Sequence, residues 1–238
     1  VGPAAKDDLA AYYEIWKKFW EEDIFDTGWY LEWRNRAART NFLPLYTSGY
    51  LSDVSKDDIA ESRRLLEAVV AKAETPLQKK RAETLLFLFG FYEASVLSYP
   101  QFGDLVEPAD EDEATAILNE VARRVETMEY RYELFDQISQ NYPALRIPLA
   151  PNSWQPVTNN ELLALAQWVQ AYPDGATANR IRELAATAES PEVREWMTAI
   201  LGMAFGTTVR NPGVEEGVSA WFAWADTAVS TSGKRILT

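Results

Sequence analysis

Thr75-Pro76-Leu77-Gln78 followed by Leu85-Leu86-Phe87-Leu88-Phe89-Gly90-Phe91-Tyr92 decides the fold. The first tetrapeptide is a helix start: a Thr that can accept a backbone N–H, a Gln three residues on, and Pro at the first helical position. The helix it opens is apolar on nearly all sides from Leu85 to Tyr92, and Tyr99-Pro100 ends it. A helix without a polar face must be covered by neighbours all around it, so the segment predicts a central helix inside a bundle.

The flanking sequence supplies those neighbours. Before it, a helix runs from the Gly2-Pro3 start to about Glu22, with Tyr12, Trp16, Phe19 and Trp20 along one face. Asp26-Thr27-Gly28 breaks it, a second helix covers about Trp29 to Arg39, and Leu43 to Gly49 reads as loop. Ser55-Lys56-Asp57-Asp58 is an N-cap with acids in the first turn. Ile59, Leu66, Val69, Val70 and Ala73 give that helix its buried stripe.

After the central helix, Glu107 to Glu113 is an acidic entry to a long helix ending near Asn141, with Ile117, Leu118, Val121, Val125, Met128, Tyr132, Phe135 and Ile138 at helical spacing. The Pro-rich stretch 141–157 cannot be regular helix. Thr158-Asn159-Asn160-Glu161 is another capping box, opening a helix to about Tyr172. Helices from Ala178 to Ala188 and from Pro191 to Phe205 follow, the last capped by Ser190. The expected fold is all-α: a bundle of six to eight helices over 1–206, mostly antiparallel hairpins, with a short extended tail at 207–238.

Composition narrows the chemistry. The chain has 238 residues, 47% hydrophobic and 25% charged, which suits a large buried core. Its net charge of −13 argues against nucleic acid and anionic membrane surfaces as partners. There is no Cys and no His. A thiol nucleophile, an imidazole base and a Ser-His-Asp triad are thereby excluded within the chain, as is a typical zinc site. No cofactor is expected; a Ca²⁺ site needs only oxygen ligands and stays open, though no EF-hand loop is present, and no apolar run reaches the roughly 18–20 residues of a membrane span.

The tail changes pattern. Thr207-Thr208-Val209-Arg210-Asn211-Pro212-Gly213-Val214-Glu215-Glu216-Gly217, reaching Trp221, favours extended backbone broken by Pro and Gly. It resembles the opening strand of the carbohydrate-binding jelly-roll modules of secreted glycosidases, with Val214 where Phe is usual. At the other end, Gly2-Pro3-Ala4-Ala5, with Leu9, Tyr12 and Tyr13, resembles the opening of the helical region behind the catalytic barrel in a poorly characterised bacterial glycosidase-like family, similar in layout to α-glucuronidases and hexosaminidases. Leu65-Leu66 with Ala68, and Lys80-Arg81, fit the same style, so this resemblance spans about residues 2 to 140. No catalytic residue of that family falls on this sequence.

Together the resemblances imply an accessory helical module of a bacterial polysaccharide-degrading protein, extracellular or periplasmic. Its partners would be a catalytic barrel, a jelly-roll module and a poly- or oligosaccharide. Two alternatives stand beside it: a structural or dimerisation module without ligand, and a self-contained all-α glycosidase or lyase.

Nine Trp supply candidate contacts. Sugar rings present apolar C–H faces, and an indole can stack on one while donating from its rim. Trp16/Trp20 and Trp29/Trp33 are both i, i+4 pairs. The first pair reads as core. Trp29 and Trp33, beside a glycine break and flanked by Glu32, Arg34, Asn35 and Arg36, read as glycan-binding, with core packing the competing role. Trp154, between Asn152 and Gln155, is a further platform or a loop anchor. Arg34 and Arg36 could grip an acidic sugar or form salt bridges. Carboxylates near the Trp cluster (Glu22, Asp23, Asp26, Glu32) offer no catalytic pair beyond what 36 acids make inevitable. The acidic runs 107–113 and 126–136 read as solvated helix faces.

Overall fold

A computed structural model describes residues 1–37, 48–100, 107–145 and 155–206, without the side chains of 36, 37 and 48. Among the described residues there are eight α-helices and no strand, so the chain is all-α as expected. Tail residues 207–238 lie outside them. The contacts gather into two compact units: residues 1–102 with 127–156, and residues 103–126 with 157–238.

In the first unit a 3₁₀ turn, Pro3–Ala5, leads into α1 (Lys6–Glu21). Gly2 sits at φ 121, a backbone region that L side chains rarely adopt, and lies against the end of the Gln78 side chain. A second 3₁₀ turn, Asp23–Asp26, buries Ile24. The Thr27 hydroxyl then donates to the Ile24 carbonyl (2.7 Å) and accepts from the Tyr30 N–H (3.2 Å), which starts α2 (Gly28–Ala37). A third 3₁₀ turn, Ser48–Asp53, was not legible in the sequence. It carries the buried Leu51 and holds α2 through the Asp53 carboxylate, which accepts the Trp29 N–H.

α3 (Lys56–Ala71) is capped by Ser55, whose hydroxyl accepts the Asp58 N–H, and α4 (Pro76–Ser98) by Thr75, whose hydroxyl accepts the Gln78 N–H. The box at Thr75 closes one residue early: the Gln78 side chain accepts from the Glu74 N–H rather than from Thr75. Ile59, Leu65, Leu66 and Val69 of α3 are buried, and α3 packs on both α1 and α4. α4 buries Phe89, Gly90, Phe91, Ala94, Ser95, Val96 and Ser98, the wide coverage its sequence demands.

α5 (Glu111–Asn141) divides between the units. From Thr127 on, its Leu134 and Ile138 pack with Phe91 and Ala94 of α4. Arg131 on the same helix is fully buried, its Nε donating to the Ser95 hydroxyl (2.9 Å) and its guanidinium lying 4.8 Å from the Phe91 ring centre. Burial lowers its pKa to about 10. The run 126–136 is therefore a solvated face only at Glu126, Tyr130, Glu133, Asp136 and their like, with a buried arginine on its other side.

In the second unit the earlier part of α5 packs with α6 (Asn159–Ala171), α7 (Ala176–Thr187) and α8 (Pro191–Phe205) around Leu118, Val121, Leu165, Ile181, Val193 and Met197. The Thr158 capping box is complete, and its Glu161 also pairs with buried Arg124. One acid does more than its acidic run suggests. The N-cap of α7 is Gly175, which has no side chain to accept the helix's orphan N–H groups. The Glu111 carboxylate substitutes, accepting the Thr177 N–H (2.5 Å), while the Thr115 and Thr177 hydroxyls share a bond of 2.9 Å.

Those bonds from Thr177 hold the Glu111 pKa below its ordinary 4.5, against a smaller opposing effect of burial. A depressed carboxyl contributes stability that is present above its unfolded value and lost as pH falls through its folded value. Glu111→Gln should cost about 1 kcal/mol at neutral pH, as loss of an N-cap does. In urea unfolding, the gap between the variant and the unsubstituted protein should close below pH 4.5; a gap that stays constant with pH would rule out the capping role.

Candidate functional site

The largest grouping of aromatic side chains lies in the first unit. Tyr12, Trp16 and Trp20 stand at i, i+4 and i+8 on α1, and Leu85, Leu88, Phe89 and Tyr92 face them from α4. Between these walls is an open groove of about 240 Å³. Ring contacts cross it at its floor: Tyr12 on Phe89 (5.9 Å, interplanar 87°) and Trp16 on Tyr92 (5.1 Å, 84°), both edge-to-face. Phe19, one residue off the groove face, is buried at 4% exposure and turns inward beneath it. Trp20 is 47% exposed, resting edge-on against Phe19 and tilted against Tyr50.

Burial dominates the electrostatics of this groove. It pushes the Tyr12 phenol up to about 12, with Tyr13 adding to the shift. It raises Tyr92 further, with Tyr50 and then Tyr12 contributing, and it also raises Tyr50. The Trp16 indole nitrogen is closed off from solvent and has no hydrogen-bond partner. The Tyr92 hydroxyl is likewise closed off and completes no bond of normal geometry, the Tyr50 hydroxyl being the neighbour that acts on it most. The walls thus offer neutral rings and few free donors.

The residues singled out on α2 are placed differently from the groove. Trp29 is partly buried against Tyr50 (5.7 Å), and its ring lies so close over Gly49 that a Cβ there would come within 2.7 Å. Trp33 tilts against Tyr30 (5.6 Å), with its indole nitrogen buried and unpartnered. Arg34 is exposed. Trp154 and the Arg36 side chain lie outside the described residues. Trp29 and Trp33 are therefore partly buried, each against at least one other ring of the chain, whereas Trp20, read from the sequence as core, is the most open indole with a described position. No described Trp is fully buried. The signal that could have found the groove is the 4-4 spacing of Tyr12, Trp16 and Trp20 opposite the Leu85, Leu88 and Tyr92 face of a helix already known to lack a polar side.

Among the described residues no group of three or more Asp or Glu is placed to hold a metal. The two carboxyls whose titration is displaced, Glu61 by Arg64 and Glu111 by Thr177, both shift down. That direction suits a carboxylate held ionised and is opposite to that of a general acid.

The phenols give a direct check. A raised phenol keeps its proton in the folded state after the unfolded chain has lost it, so the stability it contributes holds below 10.0 and is lost as pH rises through the folded value. Native tyrosinate absorbance should show Tyr12, Tyr50 and Tyr92 lagging the other tyrosines. Between pH 10.0 and about 12, Tyr12→Phe should remove one lagging phenol. A single transition near 10.0 for all tyrosines would contradict the buried groove floor.

In comparisons of sequence and of fold, no family model, no curated protein and no solved structure matches the chain.

Proposed function

We propose that the chain is a non-catalytic helical module of a polysaccharide-degrading, glycoside hydrolase-like protein, and that it binds glycan in the aromatic groove between α1 and α4. The observation that carries the reading is an indole left 47% open at the edge of an otherwise packed aromatic groove. An exposed Trp beside neutral aromatic walls is costly to hydrate, and a sugar's C–H face is a partner that covers it while its hydroxyls stay in water. The modular setting, with a catalytic barrel and a jelly-roll module as neighbours and a place outside the cytoplasm, is supported by the two sequence resemblances.

A second reading has its own observation. Tyr13, Phe25 and Leu31 are also exposed, at 55%, 45% and 38%, and self-association would cover such side chains. It predicts a sedimentation coefficient that rises with concentration, whereas the glycan module predicts none.

Calorimetry against a panel of neutral oligosaccharides tests the proposal. The unsubstituted protein should bind weakly. Trp20→Ala should lose about tenfold in affinity, equivalent to about 1.4 kcal/mol, with a urea midpoint close to the parent's because Trp20 is half exposed. Trp16→Ala should instead cost stability by about 2–3 kcal/mol, since it removes ring contacts to Phe19, Phe89 and Tyr92. Silence with every sugar at millimolar concentration would refute the glycan reading, and release of reducing ends by the isolated chain would refute the non-catalytic part.

A further inference from the structure

We infer that the cleft around Gly90, bounded by α3, α4 and the later part of α5, binds a small organic cation with one aromatic ring on a short arm, of the arylalkyl ammonium class. The cleft is separate from the α1–α4 groove and shares no lining residue with it, so it does not depend on what binds there.

Gly90 is the first observation. It is buried inside the 23-residue helix α4, where glycine is destabilising relative to alanine. Its φ is not positive, so the backbone does not call for glycine. Among the described residues, the nearest atoms to a Cβ placed there are Arg63 Nη2 at 3.7 Å and Leu134 Cδ1 at 3.9 Å, both at ordinary van der Waals distance. Packing therefore admits a methyl group, and the glycine instead keeps space clear.

That space is a cleft of about 240 Å³. Leu86 and Phe87 of α4 and Leu134 of α5 give it an apolar side. About 150 Å³ of apolar cavity holds a benzene ring, so one ring on a short arm fits and two rings do not.

Charge sets the sign of the ligand. Arg63 lines the cleft, but its guanidinium is already committed. Its Nε donates to both Glu93 carboxylate oxygens (2.7 and 2.8 Å), its Nη2 also donates to Glu93, and its Nη1 lies 3.5 Å from Glu67. An anion would have to displace a carboxylate to reach it. Glu83 lines the cleft at its exposed edge, and its nearest cation, Lys79, stands 3.9 Å away between two exposed side chains. Such a surface pair contributes little, so the Glu83 carboxylate can take a new partner. Glu67, Glu83 and Glu93 against Arg63 and Lys79 leave three acids to two bases. Tyr130, 51% exposed, adds an aromatic ring to the same lining, and aromatic faces attract cations. The apolar side thus takes the ligand's ring, and Glu83 with Tyr130 takes its ammonium.

The test titrates three probes of matched size with the full chain and follows their phenyl signals by NMR: 2-phenylethylammonium, 2-phenylethanol and 3-phenylpropionate. The ammonium should bind at millimolar concentration, about fivefold more tightly than the alcohol, which is the upper end for a partly exposed ion pair. The propionate should bind most weakly. Glu83→Gln should remove the ammonium's advantage and leave the alcohol unchanged. Gly90→Ala should raise the urea midpoint, since alanine is the better helix former. The same substitution should weaken the ammonium about tenfold, as one added carbon in a pocket does. Four results would each overturn the cation site: no binding of the ammonium, equal or tighter binding of the alcohol or the propionate, an ammonium affinity that survives either substitution, or a urea midpoint lowered by Gly90→Ala, which would mean that packing requires the glycine.

Discussion

A helical segment with no polar face cannot be left against water, and Leu85 to Tyr92 of α4 is such a segment. Each fully buried Leu, Ile or Phe contributes about 1.5–3 kcal/mol, so the apolar surface of α4 sets where α1, α3, the Ser48–Asp53 turn and the later part of α5 must go. In its C-terminal half Phe89, Phe91, Ala94, Ser95, Val96 and Ser98 are sealed. Leu85 to Leu88 and Tyr92 are only partly covered. At Leu85, Leu88 and Tyr92 the neighbour is α1, which reaches α4 through large rings rather than through close backbone approach, while Phe87 packs with Leu134, Ile138 and Tyr142. Rings meeting edge to face cannot fill the space between two helices as aliphatic side chains do, and the groove is what they leave.

Several charged groups inside these units are held by particular partners. Arg131 reaches a hydroxyl and an aromatic face. Arg124 reaches the same Glu161 that closes the Thr158 capping box, so one carboxylate both starts α6 and joins it to α5. Glu93 takes Arg63 through two oxygens, at 2.7 and 2.8 Å from its Nε. In a chain with 36 acids and 23 bases, these few pairs are the ones where burial gives position to a charge.

Helix starts were the most legible feature of the sequence, because a cap is a local device. Ser55, Thr75, Thr158 and Ser190 all accept the N–H expected of them. Where a partner comes from far along the chain, the sequence is silent. Nothing local shows that Gln78 would turn to Glu74 with Gly2 against it, that Glu111 would cap α7, or that the Ser48–Asp53 turn would bury Leu51. The indoles show the same limit. An i, i+4 spacing says that Trp16 and Trp20 share a face, but not where the covering helix stops. Phe19 took the buried position, Trp20 fell at the edge, and Trp29 stands partly buried against Tyr50 and Gly49.

The account turns on whether the open edge of the α1–α4 groove is where a sugar meets this protein. Indole N–H resonances, assigned by Trp→Phe substitution and followed by NMR as cello-oligosaccharide is added, report that directly. The Trp20 resonance should move progressively to saturation, while those of Trp168 and Trp196 in the second unit stay fixed. Movement confined to the second unit, or an unmoved Trp20 at saturating sugar, would contradict it.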